Sequence, residues 1–333
     1  MSTVLEAPAT TRMTSMQAIN LGLRDAMIAD PDVFLLGEDV GDREGGGVVE
    51  LTKGLSSEFG EERVRSTPIS EQAIMGAAIG AALAGMRPVA EIMLMNFTTV
   101  AMDMIVNHAA KIRFMSGGQT SVPVTVRMMT GAGFANGGQH SDFLEAWFAH
   151  TPGLKVVIPS NPRDAYGLIR GCIEDPDPCI FVEPLGIYWV EGEGPVRGEV
   201  IPLGKARIAR EGSDVTVITY GKQVNDVLAV VEKMEGVSVE VIDLRTVAPY
   251  DEEAVLASVG KTGRAVIVHE AVKKFGVGAE IAARINEKLF RTLKHPVVRV
   301  GGKFSPVPFS QPLEAAFVPT PAEIEAAIRE ALS

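Results

Sequence analysis

Residues 66–85 read STPISEQAIMGAAIGAALAG, and from Gln72 to Met86 no side chain is charged. A helix without a polar stripe has no face to offer water, so this stretch reads as an element buried all round. Pro68 keeps the residue before it out of the helical region. Ser70 then supplies an N-cap and Glu71 falls in the first turn. Gly85 suits the left-handed C-terminal position, with Pro88 just beyond it. Gly76 and Gly80 each cost roughly 1 kcal/mol against alanine in a helix interior. They require a packing reason, and the one expected is a second helix lying very close on that face. Glu71 follows a short strand at 63–66 and has two readings by position alone. One is a carboxylate that complements the helix dipole, worth about 0.3–1 kcal/mol. The other is a functional group at the mouth of a buried element.

The rest of the chain alternates in the same way. Ser15 can cap a helix to about Ile28, and VFLL at 33–36 is a buried-strand run with Glu38 at its carboxyl end. A glycine-rich loop (41–49) and a short helix near 52–59 follow. After the Glu71 helix come strand 88–94, one long helix at about 98–115, and strand 121–129, which leads into TGAGFANGGQHS. Strand 155–158, helix 162–173 and strand 179–183 complete the first half. Strands and helices at this spacing give parallel βαβ units in a doubly wound sheet. Such sheets bind ligands beyond the carboxyl ends of their strands. Residues 186–202 lose the alternation and read as a linker. Strands at 214–220, 238–242, 264–269 and 296–300, with helices between them, restart the pattern. Thr320, Pro321 and Glu323 form a capping box that opens a last helix. The fold expected is therefore α/β with two doubly wound domains, 13–185 and 203–333, after a disordered tail at 1–12.

Composition narrows the function. A formal charge of −11 argues against a nucleic-acid surface and against an anionic membrane patch. No apolar run approaches the roughly 20 residues of a membrane helix. Cys172 and Cys179 alone build neither a disulfide framework nor a zinc site, which fits a reducing compartment. Residues 1–12 lack the apolar core of a secretory signal. Of the five histidines, His140 is the best placed for chemistry, in a glycine-rich loop at a strand's carboxyl end. There is no P-loop; GAGFANGG has Asn136 where G-x-G-x-x-G needs its third glycine.

The segment TPISEQAIMGAAIGAALAGMRPVAE resembles the β subunit of the thiamine-diphosphate-dependent 2-oxoacid dehydrogenases. The likeness continues through MNF (95–97), NHAAKIRFMSGG (107–118), GQHS (138–141) and HTPGLKVVIPSNPRDAYGL (150–168). It also runs through PLGKARIAREGSDVTVITYG (202–221) and IDLRTVAPYD (242–251). The resemblance implies a pyrimidine-binding domain followed by a transketolase C-terminal-like domain. It implies that Glu71 addresses N1′ of the coenzyme's aminopyrimidine and that Phe97 stacks on that ring. Ile69 and Met93 become apolar walls, Glu38 helps to hold the coenzyme, and His140 serves the arriving lipoyl group. Thiamine diphosphate would be shared with an α subunit that carries the Mg2+ and diphosphate site, in an α2β2 assembly docked on a lipoyl-bearing acyltransferase core. In some relatives a structural K+ site aligns with Val124, Cys172, Ile173, Asp175 and Asp177. A cytoplasmic or mitochondrial-matrix setting follows.

Two departures bear on substrate. Val100 stands where pyruvate-type members often have Gln, and Asp142 follows QHS where Gln is usual. MMTGAG and EIMLMNF look closer to the acetoin-cleaving branch. The readings are thus a 2-oxo acid dehydrogenase of the pyruvate type, an acetoin dehydrogenase, or a non-catalytic docking subunit. A self-sufficient transketolase-like chain is the further rival, and the lack of a diphosphate motif argues against it.

Overall fold

The computed structural model describes residues 12–333. The expected tail lies outside them except for Arg12, which opens a short strand, Arg12–Thr14, paired antiparallel with Glu191–Glu193 in the expected linker.

Two sheets organise the chain. The first has seven strands, in the order Thr246–Ala248, Lys155–Val157, Cys179–Pro184, Thr125–Thr130, Arg87–Leu94, Val33–Glu38 and Val64–Thr67. Its pairs are parallel except at the Thr246–Ala248 edge. The second has five, in the order Val298–Gly302, Ala265–Val272, Val215–Thr219, Val239–Asp243 and Arg207–Arg210, with only the last antiparallel. A parallel sheet covered by helices on both faces has no wet side, so its strands are continuous apolar runs. Val33–Glu38, Thr125–Thr130 and Cys179–Pro184 are accordingly buried at every residue. These are the two doubly wound α/β units that the alternation implied.

Four short strands were not announced by the pattern: Arg12–Thr14, Glu191–Glu193, Arg207–Arg210 and Thr246–Ala248. Thr246–Ala248 follows Val239–Asp243 of the second sheet, yet adds itself to the edge of the first. A three-residue strand offers no alternation to read. The corner is fixed by Ile158 N–H donating to the Arg245 carbonyl (2.8 Å) and by Arg245 Nη2 on buried Asp164 (2.6 Å).

Helix Ser15–Ala29 is capped by Thr14 rather than Ser15. The Thr14 hydroxyl accepts from Gln17 N–H, the Gln17 side chain accepts from Thr14 N–H, and Ser15 is buried in the first turn. This helix packs on Pro162–Glu174, which Asn161 caps. The approach is close because Gly22 has no side chain; a Cβ there would lie 2.6 Å from Ile169 Cγ2.

The helix read as the organising element spans Glu71–Leu83. Ser70 occupies the N-cap position but makes no side-chain cap bond; its hydroxyl donates to the Pro68 carbonyl (3.0 Å). Gly85 takes the left-handed conformation, and Met86 N–H returns to Ala81 O at 3.0 Å, closing the helix end. Burial all round does not hold within this chain. Glu71, Ile74, Met75, Ala78, Ile79 and Ala82 face the core, whereas Ala73, Ala77, Gly80 and Leu83 are exposed. The reason is geometric, since the core covers one side only. The following helix runs as Thr98–Asp103, a π-helical Met104–Ala109 and Ala110–Met115 instead of one uniform helix. Its Met104 Sδ would stand at an ordinary 3.7 Å from a Cβ on Gly76, and nothing lies within 4 Å of one on Gly80. Among the described residues, no helix lies close against Gly80, so the close partner expected there is not found.

These two glycine environments give opposite expectations for the isolated chain. Gly22→Val should lower the unfolding free energy by about 1–3 kcal/mol through overpacking. Gly80→Ala should raise it by up to about 1 kcal/mol, because only the entropic cost of glycine is removed. Urea titrations of both variants check the pair, and a loss of stability in Gly80→Ala would contradict the open environment at that position.

Candidate active site

Four neighbouring strands of the first sheet, Thr125–Thr130, Arg87–Leu94, Val33–Glu38 and Val64–Thr67, end on the same side. The segments leaving those ends carry His140, Phe97, Glu38 and Glu71 in turn. Glu38 is the last residue of its strand, and Glu71 is the first of its helix; both carboxylates are more than nine-tenths buried. Burial, and after it the neighbouring Glu71, push the Glu38 carboxyl above its ordinary range, while the Ser70 backbone N–H opposes the shift.

Phe97 closes a tight turn, Met95–Phe97, that Thr98 locks by donating its hydroxyl to the Met95 carbonyl at 2.6 Å. Its ring meets the His140 ring edge-on, with centroids 5.4 Å apart. His140 sits on the short helix Gly138–Ser141, and its Nδ1 is buried with no hydrogen-bond partner among the described residues. Asn96 fastens this helix. Its Nδ2 donates to Gly138 O (3.0 Å) and Asp142 Oδ2 (3.1 Å), and its Oδ1 accepts from Asp142 N–H (3.2 Å). The Asp142 departure thus acts through Asn96, one residue before Phe97. Met93 is half-buried under the glycine-rich loop, beside a small pocket that includes Val48 and Arg127. Ile69 is 83% exposed and Val100 is 56% exposed, so neither is a pocket wall within this chain alone.

Beneath the site lies a buried charge cluster. Arg127 Nε and Nη2 reach the two Glu183 oxygens at 2.7 and 3.0 Å, and Nη1 reaches Glu91 at 2.6 Å. The Tyr188 hydroxyl donates to Glu183 as well. One guanidinium faces two acids here; burial raises the Glu91 carboxyl above its ordinary range, against the pull of Arg127.

The residues aligned with a K+ site are already partnered. Lys155 Nζ lies 2.6 Å from both Asp175 oxygens and 3.5 Å from Asp177, and Arg113 pairs with Asp177 at 2.5 Å. The Val124 carbonyl accepts from Cys179 N–H (2.9 Å), that of Ile173 from Arg87 Nη1 (2.8 Å) and that of Cys172 from Asp175 N–H (3.3 Å). As it stands the donor set is a poor fit for K+, so no role is derived for one.

Residue-type reasoning passed over Asn96, Glu145, Glu270 and Glu314. Glu145 is fully buried and accepts from the hydroxyl of Tyr220, which belongs to the second unit, at 2.7 Å; Tyr220 in turn stacks on His269. Burial pushes the Glu145 carboxyl up to about 7 and the His269 imidazole down to about 4. The available signal was a glutamate inside an apolar run, as in AVIVHEAV at 265–272 and LEAWF at 144–148.

Two family models match, "Transketolase, pyrimidine binding domain" over residues 11–188 and "Transketolase, C-terminal domain" over residues 204–324. The chain is 44% identical over 325 residues to the β subunit of acetoin:2,6-dichlorophenolindophenol oxidoreductase from Cupriavidus necator, covering 95% of this chain and 96% of that one. It is 44% identical to the 2-oxoisovalerate dehydrogenase β subunit of Bacillus subtilis, with coverage of 96% and 98%. It is 43% identical to the pyruvate dehydrogenase E1 component β subunit of the same bacterium, with coverage of 96% and 99%. The chain belongs to the β-subunit family of the 2-oxoacid and acetoin dehydrogenases. A split-gene transketolase, described as an inactive β4 tetramer, superposes with a TM-score of 0.79 at 22% identity over 96% of this chain and 98% of that one, a likeness of fold. For this β subunit, the family match places the four strand ends described above within the pyrimidine-binding unit.

The raised Glu145 carboxyl has a thermodynamic consequence. Its folded value near 7 exceeds the unfolded value near 4.5, so the folded state binds the extra proton between them. Its contribution to stability is full below about pH 4.5 and is lost as pH rises to about 7, by on the order of 1–3 kcal/mol. Glu145→Gln, a mimic of the protonated acid, should flatten the decline of stability over that window. Denaturant titrations at pH 5, 6 and 7.5 measure it, and an unchanged slope would refute the assignment.

Proposed function

We propose that this chain is the β half of a thiamine-diphosphate-dependent dehydrogenase. It cleaves a carbon–carbon bond next to a carbonyl, decarboxylating a pyruvate-type 2-oxo acid, and the acyl unit passes to a lipoyl group. The observation that carries the reading is the convergence of Glu38, Glu71, Phe97 and His140 from four neighbouring strand ends. Thiamine diphosphate, when bound, supplies the carbanion chemistry itself. Glu71, at the first turn of its helix and beside Glu38, would share a proton with N1′ of the aminopyrimidine. Phe97 and Met93 would pack against the ring, and Glu38 would orient it. His140, with an unpartnered buried nitrogen against Phe97, serves as proton donor to the arriving lipoyl sulfur.

The remaining half of the site is assigned to an α subunit that holds the diphosphate and Mg2+. Support comes from what this chain leaves open around the site: Ile69, Ala73, Ala77 and Gly80 form an uncharged exposed rim beside Glu71. An α2β2 assembly covers it, and the second unit docks the lipoyl-bearing acyltransferase core. We divide the chain as 13–185, linker 186–202 and 203–333. Acetoin cleavage is the second reading, favoured by two acetoin-type β subunits at 44% identity. A merely docking subunit would not need four polar and aromatic residues gathered at one sheet end. Among the described residues, no helix is long and apolar enough to cross a membrane.

The reconstituted assembly should reduce dichlorophenolindophenol with pyruvate faster than with 2-oxoisovalerate or acetoin; steady-state kcat/KM for the three substrates decides the order. Glu71→Gln keeps the shape but removes the ionisable proton. Hydrogen–deuterium exchange at C2 of the bound coenzyme should then slow by roughly 10²–10⁴-fold. If Glu71 merely complements the helix dipole, exchange stays near normal and stability changes by about 1 kcal/mol at most.

A further inference from the structure

The loop that delivers His140 is held by carboxylates it does not own. Gly131, Gly133, Ala135 and Gly137 all have positive φ, so the segment between strand Thr125–Thr130 and helix Gly138–Ser141 adopts a conformation glycine permits and most residues resist. Such a segment is costly to order and needs partners for its backbone donors. Three of those donors point into the second unit. Ala132 N–H donates to Glu270 Oε1 at 2.7 Å, Gly133 N–H to Glu314 Oε1 at 2.8 Å and Ala135 N–H to Glu314 Oε2 at 3.0 Å. Both glutamates are at least 95% buried. Neither carboxylate has an ion-pair partner within 4 Å among the described residues, so these amides are the bonds found to satisfy them. A carboxyl oxygen is a strong acceptor for backbone N–H, stronger when ionised; burial pushes the Glu270 carboxyl up to about 7, and the Ala132 N–H bond opposes that shift.

The same second-unit segment grips the loop apolarly. Ala132 packs with Val307 and Phe317, and the Phe309 ring lies so close to Gly137 that a Cβ there would be 2.4 Å away. Glu314 sits on helix Gln311–Phe317, between these contacts. Glu270 belongs to strand Ala265–Val272 of the second sheet.

We propose that Glu270 and Glu314 are positioning residues: a two-carboxylate clasp by which the second unit fixes the 131–137 backbone, and through it His140, for acyl transfer to the lipoyl group. The catalytic part of this rests on the role assigned above to His140. The clasp gives the second unit a direct part in the chemistry of the first, beyond docking. Loosening it leaves Glu38 and Glu71 where they are, since they hang on other strand ends, and Phe97 keeps the turn that Thr98 locks through the Met95 carbonyl. The step that does not use His140 is therefore spared.

The test uses the αβ assembly with Glu314→Gln, Glu270→Ala and Glu270→Gln. Glutamine at 314 replaces one of two acceptor oxygens by a donor facing an N–H, at nearly unchanged size. Glutamine at 270 keeps an acceptor for Ala132, so it should rescue what alanine loses. Three quantities are read: amide exchange of residues 131–137 by mass spectrometry, substrate-driven reduction of dichlorophenolindophenol, and acyl transfer to a free lipoylated domain. For Glu314→Gln and Glu270→Ala, loop exchange should rise at least 10-fold and lipoyl acylation fall at least 10-fold. Dye reduction should stay within about twofold of the unmodified assembly, and Glu270→Gln should behave almost normally. Unchanged loop exchange overturns the clasp, as does an equal fall in dye reduction and lipoyl acylation, which would mark a general loss of structure. His140→Ala separates the two ideas. If it leaves lipoyl acylation intact, the role given to His140 fails, and with it the catalytic consequence of the clasp, whatever the exchange data show.

Discussion

Every parallel strand must be followed by a crossover, and in a doubly wound sheet that crossover begins at the strand's carboxyl end. This constraint does most of the placing here. Glu38, Glu71, Phe97 and His140 are far apart in the chain, yet each lies just past or at the end of a strand, and the four strands are neighbours. Nothing about the individual residues brings them together. Hydrogen-bonded register does, because Leu36 faces Arg65 and Ala90, and Ala90 faces Val126. Slip one pairing by a residue and the side chains of that strand exchange faces.

A sheet buried on both sides leaves little room for charge, and this one nevertheless holds Arg127 between Glu183 and Glu91. A buried ion pair is weak evidence for stability, since desolvation consumes most of the attraction. It is stronger evidence for geometry. The bidentate fork ties strand Thr125–Thr130 to strand Cys179–Pro184, while the third contact reaches strand Arg87–Leu94. Tyr188 brings the start of the linker to the same point. Removing Arg127 alone would leave two acids in the dry interior, which is why such a cluster resists piecemeal change.

Much of this was legible in the sequence, for physical reasons that can be named. Continuous apolar runs such as 33–36 and 179–183 gave the strands, because a two-sided burial leaves no alternation to confuse with a helix. The Thr320–Glu323 pair gave a helix start, since caps are local chemistry. Ser70 and Ser15 misled for a local reason too. The Ser70 hydroxyl donates to Pro68 and accepts from no helix N–H, and Thr14 was one residue better placed than Ser15. The Thr246–Ala248 crossover, the Asn96–Asp142 link and the grip of Glu270 and Glu314 were not legible. Each joins segments that are distant in sequence, and pairing at a distance leaves no periodic trace in one chain. Burial of the 71–83 helix was over-read because a lack of charge signals an apolar surround without saying whose atoms provide it.

That last point has a cellular side. A chain that turns Ala73, Ala77, Gly80 and Leu83 of its principal helix toward solvent, along with Val100, Phe114 and Met115 of the next, shows water an apolar surface when alone. Copies made in excess of their cover would meet one another, or a chaperone, before they met anything useful. Supply would then have to be matched at synthesis, with the two halves made together and in step, and any surplus cleared. The arithmetic of production is in this sense written on one bare side of a helix.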